Sequence, residues 1–87
     1  MPSFHLQIIS PDRIEFDGEV ESLVAPVDVG YIGVLANHAP LLSILGEGRV
    51  TARNRDGDSS QYLVSGGGFL EVCDNRVVVL AQQVVTS

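Results

Sequence analysis

Phe4-His5-Leu6-Gln7-Ile8, then Pro11-Asp12, then Ile14-Glu15-Phe16, is the stretch on which the rest of the chain is read. Its apolar residues fall at every second position, so one set of side chains projects to one face of an extended segment while His5 and Gln7 project to the other. A helix would need its apolar residues three and four positions apart, and that spacing is not met. Phe4–Ile8 is therefore predicted to be a strand. Pro11-Asp12 breaks it, and Asp17-Gly18 is expected to form a tight hairpin turn, because such turns need positive φ and this dipeptide tolerates it. Val20–Val24 is the expected returning strand.

Outward from there the same alternation recurs. Ala25–Gly30 reads as a loop, and Tyr31–Leu35 as a short strand in which Gly33 suggests close backbone approach. Ala36-Asn37-His38-Ala39-Pro40 reads as irregular, because Pro40 disfavours helix at Ala39 and removes one donor. Further strands are predicted at Leu41–Leu45, Glu47–Arg55, Gln61–Ser65, Phe69–Cys73 and Arg76–Ala81, with a last short one in the tail Gln82–Ser87. Asp56-Gly57-Asp58 and Asp74-Asn75 are the turns between them. Arg76–Ala81 is almost wholly apolar and so is expected to be central and covered on both faces. Strands at this spacing imply one all-β domain over residues 1–87, a sandwich or barrel. The expected core is Phe4, Leu6, Ile8, Phe16, Val20, Val24, Val50, Val64, Val72, Val77 and Val79.

Composition narrows the function. The 87 residues include five arginines, no lysine and eleven acidic residues, a formal charge of −6. A chain with only Arg13, Arg49, Arg53, Arg55 and Arg76 cannot offer the cationic stripe that nucleic acid requires, and anionic lipid would repel it. Hydrophobic residues make up 45% of the chain, which argues against disorder. The N-terminus lacks the basic and apolar regions of a secretory signal, and no apolar run approaches the ~20 residues that span a bilayer. The expectation is a protein that reaches a membrane only through another protein, without inserting.

The candidates for chemistry are weak. Cys73 is the single cysteine, which excludes an internal disulfide, and it is expected to be buried and inert on a strand. A hydrolase could be assembled from Cys73 or Ser43 with His38 or His5, but no flanking signature supports it. Gly66-Gly67-Gly68 lacks the helix and the lysine of a phosphate loop and reads as a connection that permits close approach. Gly30-Tyr31-Ile32-Gly33 is likewise no dinucleotide fingerprint. Two distant histidines show no metal-ligand spacing, and no metal or cofactor is expected. Glu15, Asp17, Glu19 and Glu21 read as the solvated face of a hairpin. His38 sits before the apolar pair Leu41-Leu42, which a solvated loop would not ordinarily carry, and so marks a candidate protein-contact segment.

Taken in order, Pro11-Asp12-Arg13, Ala25-Pro26, Gly30-Tyr31-Ile32-Gly33-Val34-Leu35-Ala36-Asn37-His38-Ala39-Pro40-Leu41-Leu42, Gly48, Gly66-Gly67-Gly68-Phe69-Leu70-Glu71-Val72 and Val79-Leu80-Ala81 resemble the epsilon subunit of F-type ATP synthase over essentially the whole chain. The resemblance implies a flattened β-sandwich of about ten short strands in two sheets. It further implies a non-catalytic central-stalk subunit that joins gamma to the membrane c-ring, on the cytoplasmic face of the bacterial inner membrane. On that reading Asp28, Val29, Gly30, Tyr31 and Ile32 face the c-ring. Ser10, His38, Ala39, Pro40, Leu41, Leu42 and Ser43 face gamma. Many family members carry a C-terminal helical hairpin that restrains ATP hydrolysis, and the sequence ends at Ser87 where that hairpin would start, so no inhibitory arm is expected of it. Tyr31 stands where the family often has an acidic residue. Rival readings are a β-sandwich recognition module, for protein or carbohydrate, and the small hydrolase. As an isolated chain it could also dimerise through an uncovered sheet edge.

Overall fold

The computed structural model describes residues 2–86, and over them the chain forms eight strands. These are β1 (Phe4–Ile9), β2 (Ile14–Val20), β3 (Ser22–Val27), β4 (Gly30–Leu35), β5 (Leu41–Ile44), β6 (Gly48–Arg53), β7 (Ser59–Cys73) and β8 (Arg76–Thr86). Hydrogen bonding joins them in the order β2-β1-β8-β7-β6-β3-β4, with β5 added beside β7. Because β7 and β8 are long and bend, this one ladder folds over on itself into two layers.

The first half of β8 pairs with β1 and with the second half of β7, which also pairs with β5. Layer one is therefore β2, β1, β8, β7 and β5. The first half of β7 pairs with β6, and residues Gln83–Thr86 of β8 pair with Leu63, Val64, Ser65 and Tyr62 in that half. Layer two is β4, β3, β6, β7 and β8. The expected sandwich of about ten strand segments is thus present, made from eight strands, two of which serve both layers. Among the described residues, Gln82–Thr86 complete β8 rather than forming a separate strand, and Ser87 lies outside the described residues.

The two layers close on one apolar cluster. Phe4, Leu6, Ile8, Leu70, Val72, Val77 and Val79 come from layer one, and Leu23, Ala25, Val34, Val50, Ala52, Tyr62 and Val64 from layer two. Phe16 on β2 meets Tyr62 on β7 edge to face, with ring centroids 6.4 Å apart. Tyr62 and Leu70 were not among the expected core residues, and Val24 was, although it points outward and is exposed. Val24 belongs to the outward phase of β3, whose inward phase is Leu23 and Ala25.

Two turns differ from expectation for local reasons, and the glycine connection takes a specific form. Asp17-Gly18 is inside β2, paired with Gln7 and Leu6, and the hairpin loop is Pro11-Asp12, closed by reciprocal backbone bonds between Ser10 and Arg13. Gly18 instead leaves room beside the Phe16 ring. Ala25-Pro26-Val27 is strand, so the β3–β4 loop shrinks to Asp28-Val29. Gly66-Gly67-Gly68 is the bulge at which β7 passes from one layer to the other, all three with positive φ. A side chain at Gly68 would collide with the Leu80 backbone, so only glycine fits there. Asp74-Asn75 forms the β7–β8 turn as expected, with φ of 52° and 60° at its two residues.

Candidate functional site

Strand β8 explains the apolar run that the sequence displays. Val77, Val79 and Ala81 enter the core, while Val78 and Leu80 project from the opposite face and stay only half-buried. The strand is central, but among the described residues no layer lies over its outer face. Across the sheet the register aligns Ile9, Leu80, Phe69 and Ile44 in one row, spanning three strand spacings, about 14 Å. The next row aligns Gln7, Val78, Glu71 and Leu42. Leu42 is 71% exposed, Ile44 62% and Phe69 38%, and a shallow groove runs between Leu42, Ser43, Ile44, Phe69 and Glu71.

Polar residues border this apolar field on the β2 side. His5 Nε2 lies 2.6 Å from Asp17 Oδ1, and its Nδ1 lies 3.2 Å from Glu19 Oε2. Gln7 donates to Asp17 at 3.2 Å and the Ser3 hydroxyl to Glu19 at 2.9 Å. An apolar centre with a hydrogen-bonded polar border has the anatomy of a protein-docking surface. Asp17 and Glu19 stay exposed to solvent, as expected, while hydrogen-bonded to these neighbours, whereas Glu15 is largely buried against Arg13 and the Ser10 hydroxyl.

The residues singled out beforehand are distributed over this layer and one end of the other. Leu42 is on the apolar face, but Leu41 turns inward against the core and Ser43 donates locally to Ile44 O. His38 Nδ1 is 2.7 Å from Ala39 O, and the loop carrying both is pinned where Asn37 N–H donates to Asn75 Oδ1. Asn75 also donates to Ser3 O, so one turn residue fixes the loop and the N-terminus together. Ser10 is buried at the end of β1, apart from β5, with Ile9, Leu80 and Phe69 between them. Those intervening residues were missed. Their signal was the apolarity of both phases of β8, which the sequence reading took as burial on both faces, and the adjacent apolar pair Phe69-Leu70.

Asp28, Val29, Gly30, Tyr31 and Ile32 do form one unit, the β3–β4 tip in layer two. Val29 is 96% exposed at its apex, while Ile32 packs toward the core. Leu45 and Gly46, which follow β5, reach the root of this tip through the Val27–Leu45 bridge and the Gly46 N–H bond to Pro26 O.

Cys73 is exposed rather than buried, on the outward phase of β7. The Asp74 carboxylate beside it pushes its pKa up, helped by desolvation, a hydrogen bond to Asp74 and the charge of Glu71. A thiol held protonated is a poor nucleophile, so the environment opposes the hydrolase reading. Among the described residues no three metal-ligating side chains gather, and no helix is long and apolar enough to cross a membrane.

Fold and surface together define a β-sandwich protein with an exposed apolar sheet face and a projecting hairpin. The chain belongs to the family of the ATP synthase delta/epsilon chain β-sandwich domain, whose model matches residues 3–87. It is similar to the ATP synthase epsilon chain of Dichelobacter nodosus, with 42% identity over 92% of this chain and 55% of that one. Against the ATP synthase epsilon chain of Caulobacter vibrioides the identity is 39%, over 98% of this chain and 96% of that one. The chain therefore spans little more than half of the first relative and nearly all of the second. Its fold matches a chain in the Euglena gracilis mitochondrial ATP synthase OSCP/F1/c-ring structure with a TM-score of 0.90 at 26% identity, covering 99% of this chain and 55% of that one.

Proposed function

We propose that this chain is a non-catalytic coupling component of the central stalk of an F-type ATP synthase. The outer face of layer one adheres to the gamma subunit, through Leu42 and the row Ile9, Leu80, Phe69 and Ile44, with Ser10 and the loop of His38, Ala39 and Pro40 at its borders. Leu41 and Ser43 support that face from within β5. The β3–β4 tip, Asp28 to Ile32, meets the polar loops of the c-ring. Rotation of the ring is thereby carried to gamma, so that proton translocation drives ATP synthesis. The protein works peripherally at the cytoplasmic face of the bacterial inner membrane, held there by the complex, and needs no cofactor of its own.

The observation that carries this reading is the exposed apolar sheet face, because a contiguous apolar patch bordered by polar residues is the kind of surface that a protein partner gains by covering. The relatives support the identity of the partners. The test is capture of gamma from the same organism by the purified chain in a one-to-one complex, and failure to form that complex overturns the proposal. Charge reversal at Asp28 is expected to weaken attachment to the c-ring while leaving gamma binding intact. Loss of gamma binding in that variant would show that the two surfaces have been exchanged.

A further inference from the structure

The β3–β4 tip ends in a two-residue loop that contains no residue at positive φ, and its most exposed side chain, Val29, touches nothing that would hold it in place. Beyond the β3–β4 ladder and the core packing of Ile32, a side-chain tie lies on the outer face of the hairpin. Tyr31 is the register partner of Pro26 on β3, yet its side chain extends over β6, where its hydroxyl accepts the Arg49 N–H at 3.1 Å. The phenol lies so close above Gly48 that a Cβ built there would overlap the hydroxyl and stand 3.2 Å from Tyr31 Cζ and 3.4 Å from Pro26 Cβ. Gly48 also has φ +152°, a conformation unfavourable to any residue with a Cβ. Pro26 is buried although it occupies an outward position of β3, and it and its register partner Tyr31 both approach Gly48.

We infer that Tyr31 is a positioning residue, a clamp that spans Pro26, Gly48 and Arg49 and sets the direction in which the tip is presented. Gly48 is its seat. Three strands, β4, β3 and β6, are joined on the outside by one phenol, while the Gly46 N–H bond to Pro26 O ties the same root from the other side. The hydroxyl matters as well as the ring, because the Arg49 N–H takes it as acceptor at a position on β6 where the ring already lies. The functional meaning of the clamp rests on the c-ring reading of the tip. Its existence does not.

The test is amide hydrogen exchange on the full chain, combined with a double-mutant cycle. Tyr31→Phe keeps the ring and removes the acceptor, and is expected to speed exchange of the Arg49 amide by about tenfold. Gly48→Ala displaces the ring, speeds exchange at Arg49 and across the β3–β4 pairs, and weakens binding to purified c-ring. Alanine at Gly48 keeps its backbone strain in every background, so the cycle isolates the steric term. In a Tyr31→Ala background Gly48→Ala is expected to lower the folding equilibrium constant at least tenfold less than in the wild type. Equal cost in both backgrounds, or an Arg49 amide indifferent to Tyr31→Phe, overturns the clamp. If both results hold while the wild-type chain fails to bind c-ring, the reading of the tip's partner falls and the clamp stands.

Discussion

Truncating Leu42 and Ile44 separates adhesion from stability, because both side chains stand on the outer face and contribute little to the fold. Leu42→Ala removes three carbons, worth roughly 2.4 kcal/mol if the whole side chain leaves water at about 0.8 kcal/mol per methylene. Of Leu42, 71% is exposed in the free chain, so the part that a partner can newly cover is worth about 1.5–2 kcal/mol. That corresponds to roughly a 10–30-fold rise in Kd for gamma. Ile44, at 62% exposure, should cost nearly as much, and the double variant should approach the sum apart from coupling between neighbours two positions apart on the strand. In the free chain the same truncations should stay within about 0.5 kcal/mol, which for a domain of this size moves Tm by about 2–4 °C. Calorimetric titration with gamma and thermal unfolding of the free variants measure the two quantities. Variants that bind gamma as tightly as the wild type, to within about twofold, refute the assignment of this face. A large fall in Tm would refute the claim that Leu42 and Ile44 are free of structural duty.

Gly68→Ala should cost about 3 kcal/mol or more, because its Cβ meets the Leu80 backbone and φ is +146°, whereas Gly67→Ala meets no neighbour and should cost only the left-handed strain of about 1–2 kcal/mol. Denaturant titration of the two variants checks the difference, and equal costs would mean that the bulge does not hold the layers at this angle. Cys73 should alkylate more slowly than a free thiol at the same pH, since its raised pKa leaves less thiolate, and Asp74→Asn should accelerate it because Asp74 is the largest cause. Tyr62 has its pKa raised above 10.0, first by burial and then by Glu15, so the unfolded chain ionises first as pH climbs. Its contribution to stability is whole below about pH 10 and declines above it. Ultraviolet titration of Tyr31→Phe isolates the Tyr62 phenol, and an ordinary pKa there would contradict its placement against Phe16.

Period-two alternation was enough to read the strands and most of the core, because burial of one face is written in every second residue. It could not say which face is inside when both phases are apolar. Val78 and Leu80 were therefore expected to be covered, although they lie half-buried on the outer face, beside the exposed Phe69. Turn residues were ambiguous in the same way. Asp17-Gly18 has turn chemistry but sits in a strand, since Pro11-Asp12 already closes that hairpin, whereas Asp74-Asn75 turns as its chemistry allows. The three glycines at 66–68 were legible as close approach but not as a change of layer. That property depends on Gln82 lying opposite two residues of β7, a non-local fact. Cys73 shows the same limit, because its phase relative to the core depends on where the bulge falls.

Continuity of β7 and β8 bears directly on the proposed coupling role. The proposed gamma-binding face belongs to layer one and the proposed ring-binding tip to layer two, so on that proposal torque entering at the tip must cross between layers. If loops joined the layers, each would add soft dihedrals and the two surfaces could turn independently. Here the connection is a pair of hydrogen-bonded strands, with Val64 paired to Val84 on one side of the bulge and Phe69 to Leu80 on the other. Rotating one layer on the other would require breaking pairs on both sides and moving Gly68 away from Leu80, in addition to opening the apolar core. The tip is tied in at a second place, since β5 leads from the proposed gamma-binding face to Leu45 and Gly46 at the root of the β3–β4 hairpin. Two independent paths of backbone hydrogen bonds thus connect the surfaces, so turning one layer on the other must break bonds along both. Such stiffness also explains why the bulge is made of glycines. Here the bend keeps both strands paired by placing three successive residues at positive φ, a conformation that favours glycine at each.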